Sequence, residues 1–171
     1  VYKRQPEYLL GNPHWEEGAE GQKEYPLDTM ESFTWGLFDY SHKAVRDHKL
    51  AIINEFATRW DNDGIMLDFE RDPMYFWPPK DGGGKPENQK KMTDLIRSVR
   101  ATLDKVQAQR GRKQYLIVRG VASLELCQER GLDIPTWVEE GLVQVIIPGA
   151  GDAATFTLNL KPWLELVDGK A

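Results

Sequence analysis

Apolar residues along this chain fall into runs of two kinds, continuous and periodic. The continuous runs are Phe33-Thr34-Trp35-Gly36-Leu37-Phe38, Ile65-Met66-Leu67 with Phe69, Tyr115-Leu116-Ile117-Val118, and Leu142 to Ile147. Each is short, bounded by Gly, Pro or charged residues, and reads as a buried strand. Between them apolar side chains return every three or four positions, the period of one helix face. From Ser41, a plausible N-cap, Val45, His48, Ile52, Phe56 and Trp60 predict a helix to about Trp60 with that stripe buried. Met92, Leu95, Ile96, Val99, Leu103 and Val106 predict a longer helix over about 87–110, closed by Gly111.

Shorter helices follow. Ser123 caps one that ends near Arg130 and Gly131, Pro135 opens another over about 134–140, and a last one covers 161–167. The order alternates strand and helix. Strands that read as unbroken apolar runs predict a parallel sheet covered on both faces. Residues 1–33 show no period, are punctuated by Pro6, Gly11, Pro13, Gly18, Gly21 and Pro26, and read as a long loop region before the β/α units of 34–171.

Charged groups stand where the apolar runs end: Asp39, then Asp68 with Glu70, then Arg119. A doubly wound sheet would announce its ligand with a Gly-rich turn after an early strand, and none is present. Polar residues at several strand ends are what a (β/α)₈ barrel displays, because its site is built from the loops after each strand. A whole barrel takes ~250 residues in eight units. A chain of 171 residues with about four strands is therefore expected to be a single domain forming about half of such a barrel. It starts on Val1 and stops just after a helix, as an excerpt would.

In Gly64-Ile65-Met66-Leu67-Asp68-Phe69-Glu70-Arg71, strand alternation puts Met66, Asp68 and Glu70 on one side and Ile65, Leu67 and Phe69 on the other. The two carboxylates would have Cα atoms ~6.5 Å apart. Such a pair suits glycoside cleavage, one group as acid and the other as nucleophile or base. Arg71 and Arg119 could orient the ionised partner. Tyr75, Phe76 and Trp77 offer ring faces for sugar C–H surfaces, and Asp39, Tyr40 and His14 are further candidates for holding substrate. The bland alternatives are acids paired with arginines to close a sheet end, and aromatics that merely pack a loop.

Composition narrows the rest. A net charge of −5 without a basic cluster argues against nucleic acid or an anionic membrane as partner, and no apolar run is long enough to span a bilayer. Cys127 stands alone, which excludes an internal disulfide and a cysteine-based metal site. It is expected to be buried and inert. Asp39, His42, Asp68 and Glu70 show no recognised ligand spacing, so neither metal nor cofactor is expected. Gly82-Gly83-Gly84-Lys85 is followed by Pro86, not by the Ser or Thr of a phosphate loop.

Asp63-Gly64-Ile65-Met66-Leu67-Asp68-Phe69-Glu70 resembles the D-G-x-D-x-D-x-E signature of family 18 chitinases, with Met66 in place of that motif's first Asp. A likeness over nearly the whole chain is to bacterial glycoside-hydrolase-like TIM-barrel proteins. Val45-Arg46-Asp47, the stretch from Trp60 to Arg71, Val118-Arg119, and Gly131-Leu132-Asp133 with Trp137 carry it. That resemblance implies a TIM barrel, a carbohydrate substrate, Asp68 with Arg71 as the site pair, and a periplasmic or secreted location. Non-catalytic sugar binding, and a barrel lyase or metal-dependent hydrolase, stay open as alternatives. Half a barrel would also leave open sheet edges through which copies could associate.

Overall fold

The structure, a computed structural model, describes residues 38–70, 73–76, 83–149 and 158–168. It is a mixed α/β fold on a three-stranded parallel sheet, with strands β1 (Gly64–Asp68), β2 (Tyr115–Gly120) and β3 (Val145–Pro148) in chain order. Register is continuous across the sheet: Met66 faces Ile117, which faces Val145, and Asp68 faces Arg119, which faces Ile147. Gly64 opens β1 at φ 153°, and its Cα lies so close to the Tyr115 backbone that a side chain there would overlap it.

The helices are α1 (Lys43–Arg59), α2 (Pro86–Arg110), α3 (Leu124–Glu129), α4 (Ile134–Glu139) and α5 (Lys161–Val167). Helix α2 begins with Pro86 in its first turn, where a missing N–H costs nothing, and stops at Gly111 in the left-handed conformation. All six expected stripe residues of α2 are buried. Ser123 Oγ accepts the Leu126 N–H at 3.1 Å to cap α3. Asp133 caps α4, accepting from the Thr136 N–H and from Thr136 Oγ1.

Ile65, Leu116 and Val118 point to the helices and join α2, α4 and Trp163 of α5 in one core. Trp137 is fully buried at its centre, and its indole N–H donates to Thr93 Oγ1 at 2.8 Å. Such a bond spares a buried polar group the ~1–3 kcal/mol cost of going unpaired.

Three expectations are corrected. Cover on both faces is not what the described residues show: Met66, Tyr115, Val145 and Ile147 point away from the helices and are each more than a third exposed. Alternation along the strands is the reason, since every second residue faces the helix layer and the others face out. The stripe expected to bury α1 does so only at its start: Val45 is buried and His48 half-buried, while Ile52, Phe56 and Trp60 are about half exposed. Val45 and Ala57 are buried, and Leu50 and Ile53 pack against the core. Toward its end the helix meets the core through Ile53 and Ala57, the neighbours of the expected residues. Finally β3 starts at Val145; Leu142 and Val143 are buried in the turn before it, where the Gln144 N–H donates to the Leu116 carbonyl at 3.0 Å. Of the expected strand at 33–38 only Phe38 lies within the described residues.

Candidate functional site at the carboxyl end of the sheet

Asp68 is the last residue of β1, and its side chain stands on the open face, 37% exposed. Its position follows from alternation: Ile65 and Leu67 turn toward the helices, so Met66 and Asp68 turn away. Arg119 is its register partner on β2. Arg119 Nη1 lies 3.2 Å from Asp68 Oδ2, while Asp68 Oδ1 accepts the Glu70 backbone N–H at 2.9 Å. Both carboxylate oxygens are thereby oriented.

Glu70 lies just past the strand, where the chain bends, and its side chain is only 3% exposed. Its carboxylate pairs with Arg119 Nη2, so one guanidinium bridges Asp68 and Glu70. A forked, planar cation suits that task because its two terminal nitrogens can serve two acceptors at once. The backbone is fixed beneath the trio: the Phe69 N–H donates to the Arg119 carbonyl at 2.9 Å. Ile117 and Ile147 flank Arg119 on the open face, giving the charged groups apolar neighbours.

Asp39 is buried; its Oδ1 accepts the Ser41 N–H at 2.8 Å and its Oδ2 lies 3.8 Å from His42 Nε2. That places it at the turn into α1. The Tyr40 N–H donates to the Tyr75 carbonyl at 2.7 Å, tying this turn to the segment after β1. Tyr75 is buried, its hydroxyl donates to the Phe69 carbonyl, and its ring meets Tyr40 and Phe69 edge-on. Phe76 is 1% exposed. As placed, these two rings belong to the core and offer no free face to a sugar. His14, Arg71 and Trp77 lie outside the described residues.

Comparison with protein-family models and with curated proteins finds no match to this chain. Among the described residues no group of three or more His, Cys, Asp or Glu side chains is placed to hold a metal ion. None of the described helices is long and apolar enough to cross a membrane. Cys127 is buried against the Val121 carbonyl, and burial pushes its thiol up to about 11, so it holds its proton at neutral pH.

The structure brings Asp68, Glu70 and Arg119 together and adds one neighbour that sequence reading passed over. Gly149, just after β3, lies directly against the Glu70 carboxylate. A glycine that ends an apolar strand reads as punctuation, and nothing local in the sequence ties it to a residue so far away in the chain.

Proposed function

We propose that this chain is part of a (β/α)₈ barrel of carbohydrate-active type and that it hydrolyses glycosidic bonds at the carboxyl ends of its strands. The barrel reading is supported by parallel strands in chain order, helices packed on one face, and, among the described residues, an opposite face whose apolar side chains are more than a third exposed. A doubly wound sheet would instead carry helices on both faces. The exposed face would be the barrel interior, and alone it would favour association with another copy.

The observation that carries the enzymatic reading is the reachable carboxylate of Asp68, held at a strand's carboxyl end by Arg119 and flanked by apolar side chains. Asp68 acts as nucleophile or as the carboxylate that stabilises positive charge on the sugar. Arg119 fixes its orientation. Glu70 is the candidate acid, and it reaches a glycosidic oxygen only when that contact replaces its pairing with Arg119.

The burial of Glu70 also favours a second reading. With one reachable carboxylate, the same surface would bind sugar hydroxyls without cleaving them. One experiment separates the two. The full-length protein and its Asp68→Asn variant are assayed on a panel of polysaccharides and oligosaccharides for binding and reducing-end release. Hydrolysis by the parent, reduced about 10³-fold in the variant at nearly unchanged melting temperature, is the expected result. Hydrolysis that survives the substitution defeats the enzymatic assignment, and binding without turnover selects the second reading.

A further inference from the structure

We infer that Gly149 is a positioning residue: its lack of a side chain lets the buried Glu70 carboxylate lie against the end of β3 and present its charge to Arg119. The inference rests on the reading of Asp68, Glu70 and Arg119 as the working site.

A Cβ built on Gly149 would fall on the Glu70 carboxyl carbon and both its oxygens, closer than real Cβ atoms approach anything. The backbones on both sides are fastened, so the Glu70 side chain is what would have to move. Gly149 is buried and its N–H donates to the Gly120 carbonyl at 3.0 Å, so its backbone is fastened to the end of β2. Glu70 follows Phe69, whose N–H is bonded to the Arg119 carbonyl and whose carbonyl accepts the Tyr75 hydroxyl. Backbone conformation does not explain the glycine, because Gly149 is not among the glycines with positive φ. Any L-residue could adopt its dihedrals; the Glu70 carboxylate occupies the space that a side chain would need.

One carboxylate thus joins all three strand ends. The segment after β1 supplies it, β2 supplies the cation that pairs with it, and the residue after β3 leaves the space for it. Glu70 in turn braces Arg119 against Asp68, so a side chain at 149 would act on Asp68 through two intermediates. A residue serving only to stop β3 would have no such reach.

The test uses the full chain with ¹⁵N-labelled arginine and needs no substrate. In the parent, Arg119 held by two carboxylates should turn slowly and show separate Nη resonances. Gly149→Ala should displace Glu70, merge those resonances while the amide spectrum stays folded, and lower the melting temperature by roughly 5 °C. In a Glu70→Ala background the same Gly149→Ala change should cost almost nothing, because the crowding carboxylate is gone. Should Gly149→Ala alone fail to fold, folding of the double variant carries the same meaning. Unmerged Arg119 resonances in Gly149→Ala, an equal melting loss in both backgrounds, or failure of both variants to fold would overturn the inference. The enzymatic reading fails separately, if the parent shows no hydrolysis while the resonance and melting results hold.

Discussion

The two ends of the sheet use polar residues in opposite ways. At the amino end, long side chains donate to backbone carbonyls of the connections. Arg110 Nη2 donates to the Ala57 carbonyl at 2.9 Å and the Trp60 carbonyl at 2.8 Å, and Arg112 and Gln114 both donate to the Asn62 carbonyl. Buried Arg100 joins the Gln114 carbonyl at 3.0 Å to Gln144 Oε1 at 2.7 Å, and that same oxygen accepts the Leu116 N–H at 2.9 Å. These groups close the turns that lead into β1, β2 and β3. At the carboxyl end, acids and a base face one another across the open side of the sheet. The first arrangement secures the chain, with exposed ion pairs from Arg112 to Asp61 and Asp63 at its rim, and the second sets its ionised groups on the open face of the sheet. In barrel enzymes this is the usual division between a stability face and a reaction face.

Substitutions at the two ends should therefore separate. Asp68→Asn, described above, has the largest expected effect, on turnover alone. Next is Arg119→Leu, which leaves Glu70 buried without its cation and should cost about 3 kcal/mol in urea unfolding. Adding Glu70→Ala should recover most of that loss; a loss that persists would mean that Arg119 stabilises by packing. Arg100→Met acts at the other end. It strips a donor from the Gln114 carbonyl and from Gln144, so about 2 kcal/mol should be lost. Its effect on sugar binding should be nil, and weakened binding in a folded Arg100→Met protein would blur the division between the ends.

The smallest effect concerns pH. On the outer surface Arg97 holds Glu140 at 2.7 Å and, with Lys90, Asp94, and both carboxyl groups are drawn below their ordinary values by those hydrogen bonds. Groups held lower in the folded state stabilise it above the ordinary carboxylate range, and that contribution disappears as pH falls through their folded values. Acid titration of melting temperature should thus fall off as pH drops out of the ordinary carboxylate range and through the lower folded values of Glu140 and Asp94. Arg97→Met should flatten that limb slightly, as expected for exposed pairs. An unchanged limb would show that the network contributes nothing.

Legibility in the sequence followed how many ways each segment could satisfy its pattern. Helix α2 was readable because its apolar residues form one stripe with charges on every other side. Helix α1 carries two stripes, Ile52-Phe56-Trp60 and Leu50-Ile53-Ala57, and periodicity cannot tell which of them meets the core. The start of β3 was misplaced because Leu142 and Val143 are apolar for burial in a turn, not for pairing. Asp68 and Arg119 were visible as charges ending apolar runs. Their register across β1 and β2 was not, nor was the space that Gly149 leaves for Glu70, since both depend on contacts between distant segments. The aromatics after β1 read as a sugar platform, yet Tyr75 and Phe76 are apolar enough to serve the core, and they do.

The central claim is that the carboxyl end of the sheet is where this protein meets its ligand. Titrating the isotope-labelled chain with a panel of oligosaccharides and following each resonance tests it most directly. Binding should move the signals of Met66, Asp68, Ile117, Arg119 and Ile147 while those of Arg100, Gln114 and Gln144 stay in place. Shifts confined to the amino end, or no response to any sugar, would contradict it.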